Sequence, residues 1–85
     1  MKETRILGLL IRDRIKEAGQ TQKILGKYAH VISTRLGFHE LNDNACSRAG
    51  IILLQLTGHT EDWTNFEHEI SAIEGIELQK MSFTY

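Results

Sequence analysis

Between residues 49 and 58 the chain reads AGIILLQLTG, its most apolar run. Ile51, Ile52, Leu53, Leu54 and Leu56 crowd together, with glycines near both ends. A run this short, bounded by glycine, predicts a strand rather than a helix. Odd and even positions are both apolar at its start, so both faces need cover and the strand belongs in the interior of a sheet. Residues 5–12, RILGLLIR, have the same character, with Ile6 and Leu10 opposing Leu7, Leu9 and Ile11. This run predicts a second central strand.

Two stretches carry helical periodicity. Asp13 is a natural N-cap for a helix over 14–29, in which Ile15, Ala18, Gln22, Leu25 and Ala29 share one stripe with Ile24 and Tyr28 beside it. Thr60 is the expected N-cap of the second helix, with Glu61 and Asp62 in the first turn where the dipole favours them. Trp63, Phe66, Ile70 and Ile73 then step by three, four and three, and Gly75 is the expected stop. Residues 30–39, HVISTRLGFH, alternate as an edge strand in which Ile32, Thr34, Leu36 and Phe38 form the apolar side. Residues 40–48 read as a long polar loop, and 76–85, IELQKMSFTY, as the last strand. In that strand Ile76 and Leu78 oppose Met81, Phe83 and Tyr85. Either a bulge near Lys80 reverses the faces or the second face is covered too.

The order strand, helix, strand, strand, helix, strand predicts an α+β, ferredoxin-like βαββαβ domain over 1–85, with a four-stranded antiparallel sheet and both helices on one face. The helix-free face would still carry apolar side chains at its centre. That predicts a homo-oligomer, a dimer or a tetramer.

Composition narrows the function. The chain has 85 residues, a formal net charge of −1 and a pI near 6.4. No basic field exists to hold nucleic acid by counterion release. The third strand also lacks the aromatics on which an RNA-recognition sheet stacks bases. The single cysteine, Cys46, excludes an internal disulfide and fits a reducing, cytoplasmic compartment. The apolar run at residues 6–11 is too short for a membrane span and lacks the pattern of a secretory signal.

RILGLLIRDR at 5–14, VISTRLGFHE at 31–40, CSRAGIILLQLTG at 46–58 and IEGIELQKM at 73–81 resemble, in order and spacing, the small ACT-like proteins described as regulators of iron-only hydrogenase systems. The resemblance spans nearly the whole chain and implies a regulatory role tied to such systems. A more distant resemblance is to the metal-sensing domain of nickel-responsive regulators, which shares this fold, tetramerises and binds nickel through His and Cys. Those regulators add a ribbon-helix-helix DNA-binding segment. The few residues before Thr4 offer no counterpart, so direct DNA contact is not expected.

Two candidate sites follow. ACT-like domains place an effector at the loop after the first strand, here Arg12, Asp13, Arg14 and Ile15, facing a loop of a neighbouring subunit. Arg12 and Arg14 lie at that loop, and they and Arg35 can hold an anionic effector, or are scattered structural or rim charges. The chain contains no proline, and so departs from the Pro-Gly pair common at that loop in amino-acid-binding relatives. The alternative is a metal site of His39 and Cys46, near Glu40 and Asp43, because imidazole and thiolate suit nickel, zinc or iron. The bland counterpart is a surface loop with an inert cysteine. His30 reads as a helix-end cap, and His59 and His68 as solvent-facing. No phosphate-cradling glycine loop, catalytic carboxylate pair or serine with a base is present. The expectation is therefore a non-enzymatic module with no identifiable cofactor, which binds a small effector or a partner protein.

Overall fold

A computed structural model describes residues 2–39 and 49–85. Strand β1 (Glu3–Ile11) leads through Asp13 into helix α1 (Arg14–Lys27). A 3₁₀ turn (Ala29–Val31) then precedes β2 (Ile32–His39), and β3 (Gly50–Leu56), helix α2 (Thr60–Ser71) and β4 (Ile76–Thr84) complete the order. The sheet runs β2-β3-β1-β4, with every neighbouring pair antiparallel. The two strands with two-sided apolar patterns are the two in the middle. This is the ferredoxin-like arrangement.

Parity along β1 and β3 sorts the faces. Leu7, Leu9 and Ile11 meet Ile52, Leu54 and Leu56 on the helix side and are buried there. Trp63, Phe66, Ile70 and Ile73 supply the other half of that core from α2 and the turn after it, as their spacing predicts. Trp63 and Phe66 are fully buried, and the Trp63 indole N–H donates to the Thr57 carbonyl at 2.9 Å. Arg5 lies on this face as well. Its guanidinium sits 5.3 Å over the Trp63 ring and pairs with Glu67 at 2.6 Å.

Helix α1 packs with a different face from the one its apolar residues predict. The N-cap is as expected, since the Asp13 carboxylate accepts from the backbone N–H of Ile15 and Lys16. Of the predicted stripe, however, only Leu25 is buried, while Ile15 is 74 % exposed. The residues turned inward are Glu17, Thr21, Leu25 and Tyr28. Thr21 can be buried because its hydroxyl donates to the Glu17 carbonyl one turn back. The helix end near Ile15 and Ala18 stands off the sheet, and a cleft opens beneath it.

Other boundaries differ locally. The N-cap of α2 is His59, without a side-chain cap, so Thr60 is the first helical residue. The helix is capped at Ala72, and Gly75 serves the following turn with φ +89°. His30 lies in the 3₁₀ turn, stacked on Tyr28 and 3.5 Å from the Asp62 carboxylate. A register shift between Ile32 and Thr34 moves Ile32 to the helix side opposite Leu56, which breaks the predicted alternation of β2. Strand β4 has no bulge. Its pairing with β1 is continuous from Glu3↔Thr84 to Ile11↔Ile76, so Met81 and Phe83 lie opposite Ile6 and Thr4 on the helix-free face.

Gly75 is also where an added Cβ would come within 3.3 Å of the Glu17 Oε1, and a side chain is strained at its φ in any case. Gly75→Ala is expected to cost about 1–2 kcal/mol in urea denaturation. Gly19→Ala meets nothing within 4 Å in a helix and is expected to gain about 0.5–1 kcal/mol. Equal effects at the two glycines would refute the conformational role of Gly75.

Where α1 and α2 meet, Glu69 accepts a hydrogen bond from the Tyr28 hydroxyl and pairs with Lys27 at 3.0 Å. The Tyr28 phenol is pushed up to about 12, first by that bond, then by burial and the Glu69 and Asp62 charges. The same bond, with help from Lys27, holds the Glu69 carboxyl below its ordinary range. The raised phenol contributes stability that is full below its ordinary value of 10.0 and is lost as pH climbs towards about 12. The lowered carboxyl contributes stability that is full above its ordinary 4.5 and is lost as pH falls through its folded value. Tyr28→Phe should therefore flatten the urea midpoint against pH at both ends. An unchanged alkaline limb would show that the bond does not form in solution.

Candidate functional site

The cleft under α1 follows from two local facts. Helix α1 turns a partly polar face inward, and glycine stands at Gly37 on β2 and Gly50 on β3. By register these pair with Ile52 and Ile11, so both lie on the helix side of the sheet. Two positions that would hold side chains beneath the helix are bare. The resulting space, about 330 Å³, has a floor of Gly37, Gly50, Ile51 and Ile52 and walls of Ile11, Ile15 and Ala18. Its polar groups are Thr21, Gln22 and Arg35. Ligand sites are typically apolar hollows of this kind with a few converging polar groups.

Arg35 has no ion-pair partner among the described residues, whereas Arg5 pairs with Glu67 and Arg12 with Glu77. It stands on the edge strand, opposite Leu54, exposed at the mouth of the cleft.

The sequence-predicted effector residues part company here. Ile15 lines the cleft. The Arg12 guanidinium is 2.9 Å from Glu77 across the β1–β4 pair, and the Asp13 carboxylate caps α1. Arg14 is the first residue of α1. Of the metal pair, His39 ends β2 and Cys46 lies outside the described residues, as do Glu40 and Asp43. Among the described residues no cluster of three or more metal-ligating side chains occurs. Sequence reasoning singles out Arg35 as able to hold an anion but does not join it to Gly37, Gly50, Thr21 and Gln22, for which glycines at helix-facing positions of adjacent strands are the available signal.

The opposite face is apolar and uncovered. Leu36, Leu53, Met81, Phe83 and Tyr85 are exposed, and Ile6, Leu10 and Ile51 are half-buried among them. A shallow depression of about 280 Å³ lies on it, bordered by Gly8, Leu10, Ile51, Glu77 and Gln79. No helix among the described residues is long and apolar enough to cross a membrane.

No family model matches the chain, and no curated protein matches it either. Solved structures do. An uncharacterized protein, TM1266 from Thermotoga maritima, superposes with TM-score 0.84 at 20 % identity, over 99 % of this chain and 100 % of its own. SnoaB, a cofactor-independent oxygenase from Streptomyces nogalater, superposes at 0.66 and 9 % identity over 100 % and 94 %. A dimeric ferredoxin-like protein of unknown function from Thermobifida fusca does so at 0.50 and 12 % over 99 % and 92 %. These likenesses establish the ferredoxin-like fold. They also correct the expectation of a non-enzymatic chain. An oxygenase that needs no cofactor uses this fold, so the lack of a metal, phosphate-loop or triad motif does not exclude catalysis.

Proposed function

We propose that this chain is a ligand-sensing module whose subunits join through the helix-free face of the sheet and which takes a small effector in the cleft under α1. The single observation that carries this reading is the place of Ile51. It borders the cleft on one side of β3 and the depression on the apolar face on the other. One strand thus separates the two surfaces. A ligand pressed against it alters what a second subunit meets, and the coupling is reciprocal. The apolar face supports association, and so does the dimeric state given for the Thermobifida fusca protein. The resemblance to regulators of iron-only hydrogenase systems supports a regulatory setting.

Sedimentation equilibrium tests the reading. The expected mass at micromolar concentration is at least twice the 9.7 kDa of one subunit. A compound that shifts the amide resonances of Ile15, Gly37 and Ile51 should also change the dissociation constant between subunits severalfold. A persistent monomer, or identical constants for the empty and loaded protein, would overturn it.

A further inference from the structure

We infer that the ligand of the α1 cleft is a small organic acid, a single carboxylate on a compact apolar body such as one ring or a branched chain. The inference rests on the cleft being the effector site and concerns only what fills it. Three observations lead to this class.

The first is charge. Arg35 has no acidic partner among the described residues, and it stands at the mouth of a largely apolar hollow. A guanidinium presents two parallel N–H donors that match a carboxylate in bidentate fashion. Gln22, on the opposite wall, adds an amide that can donate to the same group or accept from a neighbouring hydroxyl. One cation suits one negative charge, and a phosphate ester would leave its second charge without a partner.

The second is size and lining. At about 330 Å³ the hollow lies at the small end of ligand sites, which run roughly 300–1,000 Å³. That space is too small to enclose a nucleotide. Ile11, Ile15, Ala18 and Ile52 offer only hydrocarbon to the ligand's body. Ile15 is 74 % exposed in the empty protein, so a bound apolar group would cover surface that now faces water.

The third is Gly37. Glycine is unfavourable within a strand, and here the backbone does not call for it. Gly37 is not among the residues with positive φ, and an added Cβ would meet nothing closer than Ile52 Cγ1 at 3.9 Å. The missing side chain keeps the cleft open.

Binding of phenylacetate, benzoate and isovalerate to the full chain, followed by calorimetry and by the amide shifts of Ile15, Gln22, Gly37 and Ile51, tests the inference. Phenylacetamide serves as the uncharged control. At least one acid should bind in the cleft, at least tenfold tighter than its amide. Arg35→Gln should abolish that preference and leave the amide's affinity unchanged. Gly37→Val should fill the hollow and remove binding of acid and amide alike, with the thermal midpoint equal to or above that of the wild type.

Acid and amide binding equally in the cleft would overturn the carboxylate assignment while the sensing reading stands. Binding that survives Gly37→Val would place the ligand elsewhere and overturn the inference. Absence of all binding would do the same. Shifts at Ile15 and Arg35 that follow protein concentration rather than added acid would assign the cleft to a second copy of the chain. Because self-association is measured separately by sedimentation, these outcomes leave the test of the sheet-face interface intact.

Discussion

Trp63→Ala is expected to leave the chain largely unfolded at room temperature. Trp63 has no exposed surface, and truncating a buried aromatic costs about 3–5 kcal/mol. The Thr57 carbonyl would also lose the indole N–H that now reaches it at 2.9 Å, a further loss of about 1–3 kcal/mol if no water replaces it. Arg5 would lose the ring beneath its guanidinium. Natural domains retain roughly 0.05–0.15 kcal/mol per residue, so a chain this short has about as much stability as the substitution removes. Trp63→Phe keeps most of the volume and should remain folded with a lowered midpoint. Circular dichroism in urea at a fixed protein concentration provides the measurement, because association adds to apparent stability. A loss below about 1 kcal/mol for Trp63→Ala would mean that the core is not organised around α2 as described.

The second large effect is expected at Leu53, at the centre of the helix-free face. Leu53 pairs with Gly8 on one side and Leu36 on the other, and it is 38 % exposed. In a single subunit Leu53→Glu places its carboxylate in water and costs little. In a symmetric face-to-face pair the substitution enters twice and buries two like charges without partners. Association should weaken by more than about 100-fold, corresponding to about 3 kcal/mol. Leu53→Met, which keeps volume and polarity, should associate like the wild type. If Leu53→Glu sediments as the wild type does, the subunits meet through some other surface.

Much of this architecture is legible in the sequence. The central strands announce themselves by apolar residues at both parities, Ile51 beside Ile52 and Leu9 beside Leu10, and both prove to be flanked by strands on either side. The stripe of α2 is legible for a related reason, since all four of its apolar positions enter one core. Helix α1 misleads because its most apolar stripe ends at a cleft. Ile15 faces open space, while Thr21 is buried at no great cost once its hydroxyl is satisfied within the helix. Hydrophobicity alone does not register that local satisfaction. The register shift in β2 is equally silent, since Ile32, Ser33 and Thr34 are all acceptable in either register.

The candidate site is harder still to read. It joins β1, α1, β2 and β3 through residues far apart in the chain, and part of its definition is the absence of side chains at Gly37 and Gly50. Of the residues predicted to bind an effector, Ile15 lies in the cleft, while Arg12 and Asp13 are engaged elsewhere. Charge and position beside a loop do not reveal that Glu77 stands across from Arg12.

The unbroken register of β1 with β4 has a consequence in time. It joins Glu3 to Thr84, so one of the sheet's three ladders is formed by the strands farthest apart in sequence. The loop this ladder closes is nearly the whole chain, and such long-range pairing slows folding. As the polypeptide leaves the ribosome, β1 emerges well before β4, its last partner in the sheet. Until then ILGLLI stands with one edge bare and no charge within it, the composition from which intermolecular strands grow. Arg5, Arg12 and Asp13 flank that segment closely, as charged guards do in natural proteins with exposed strands.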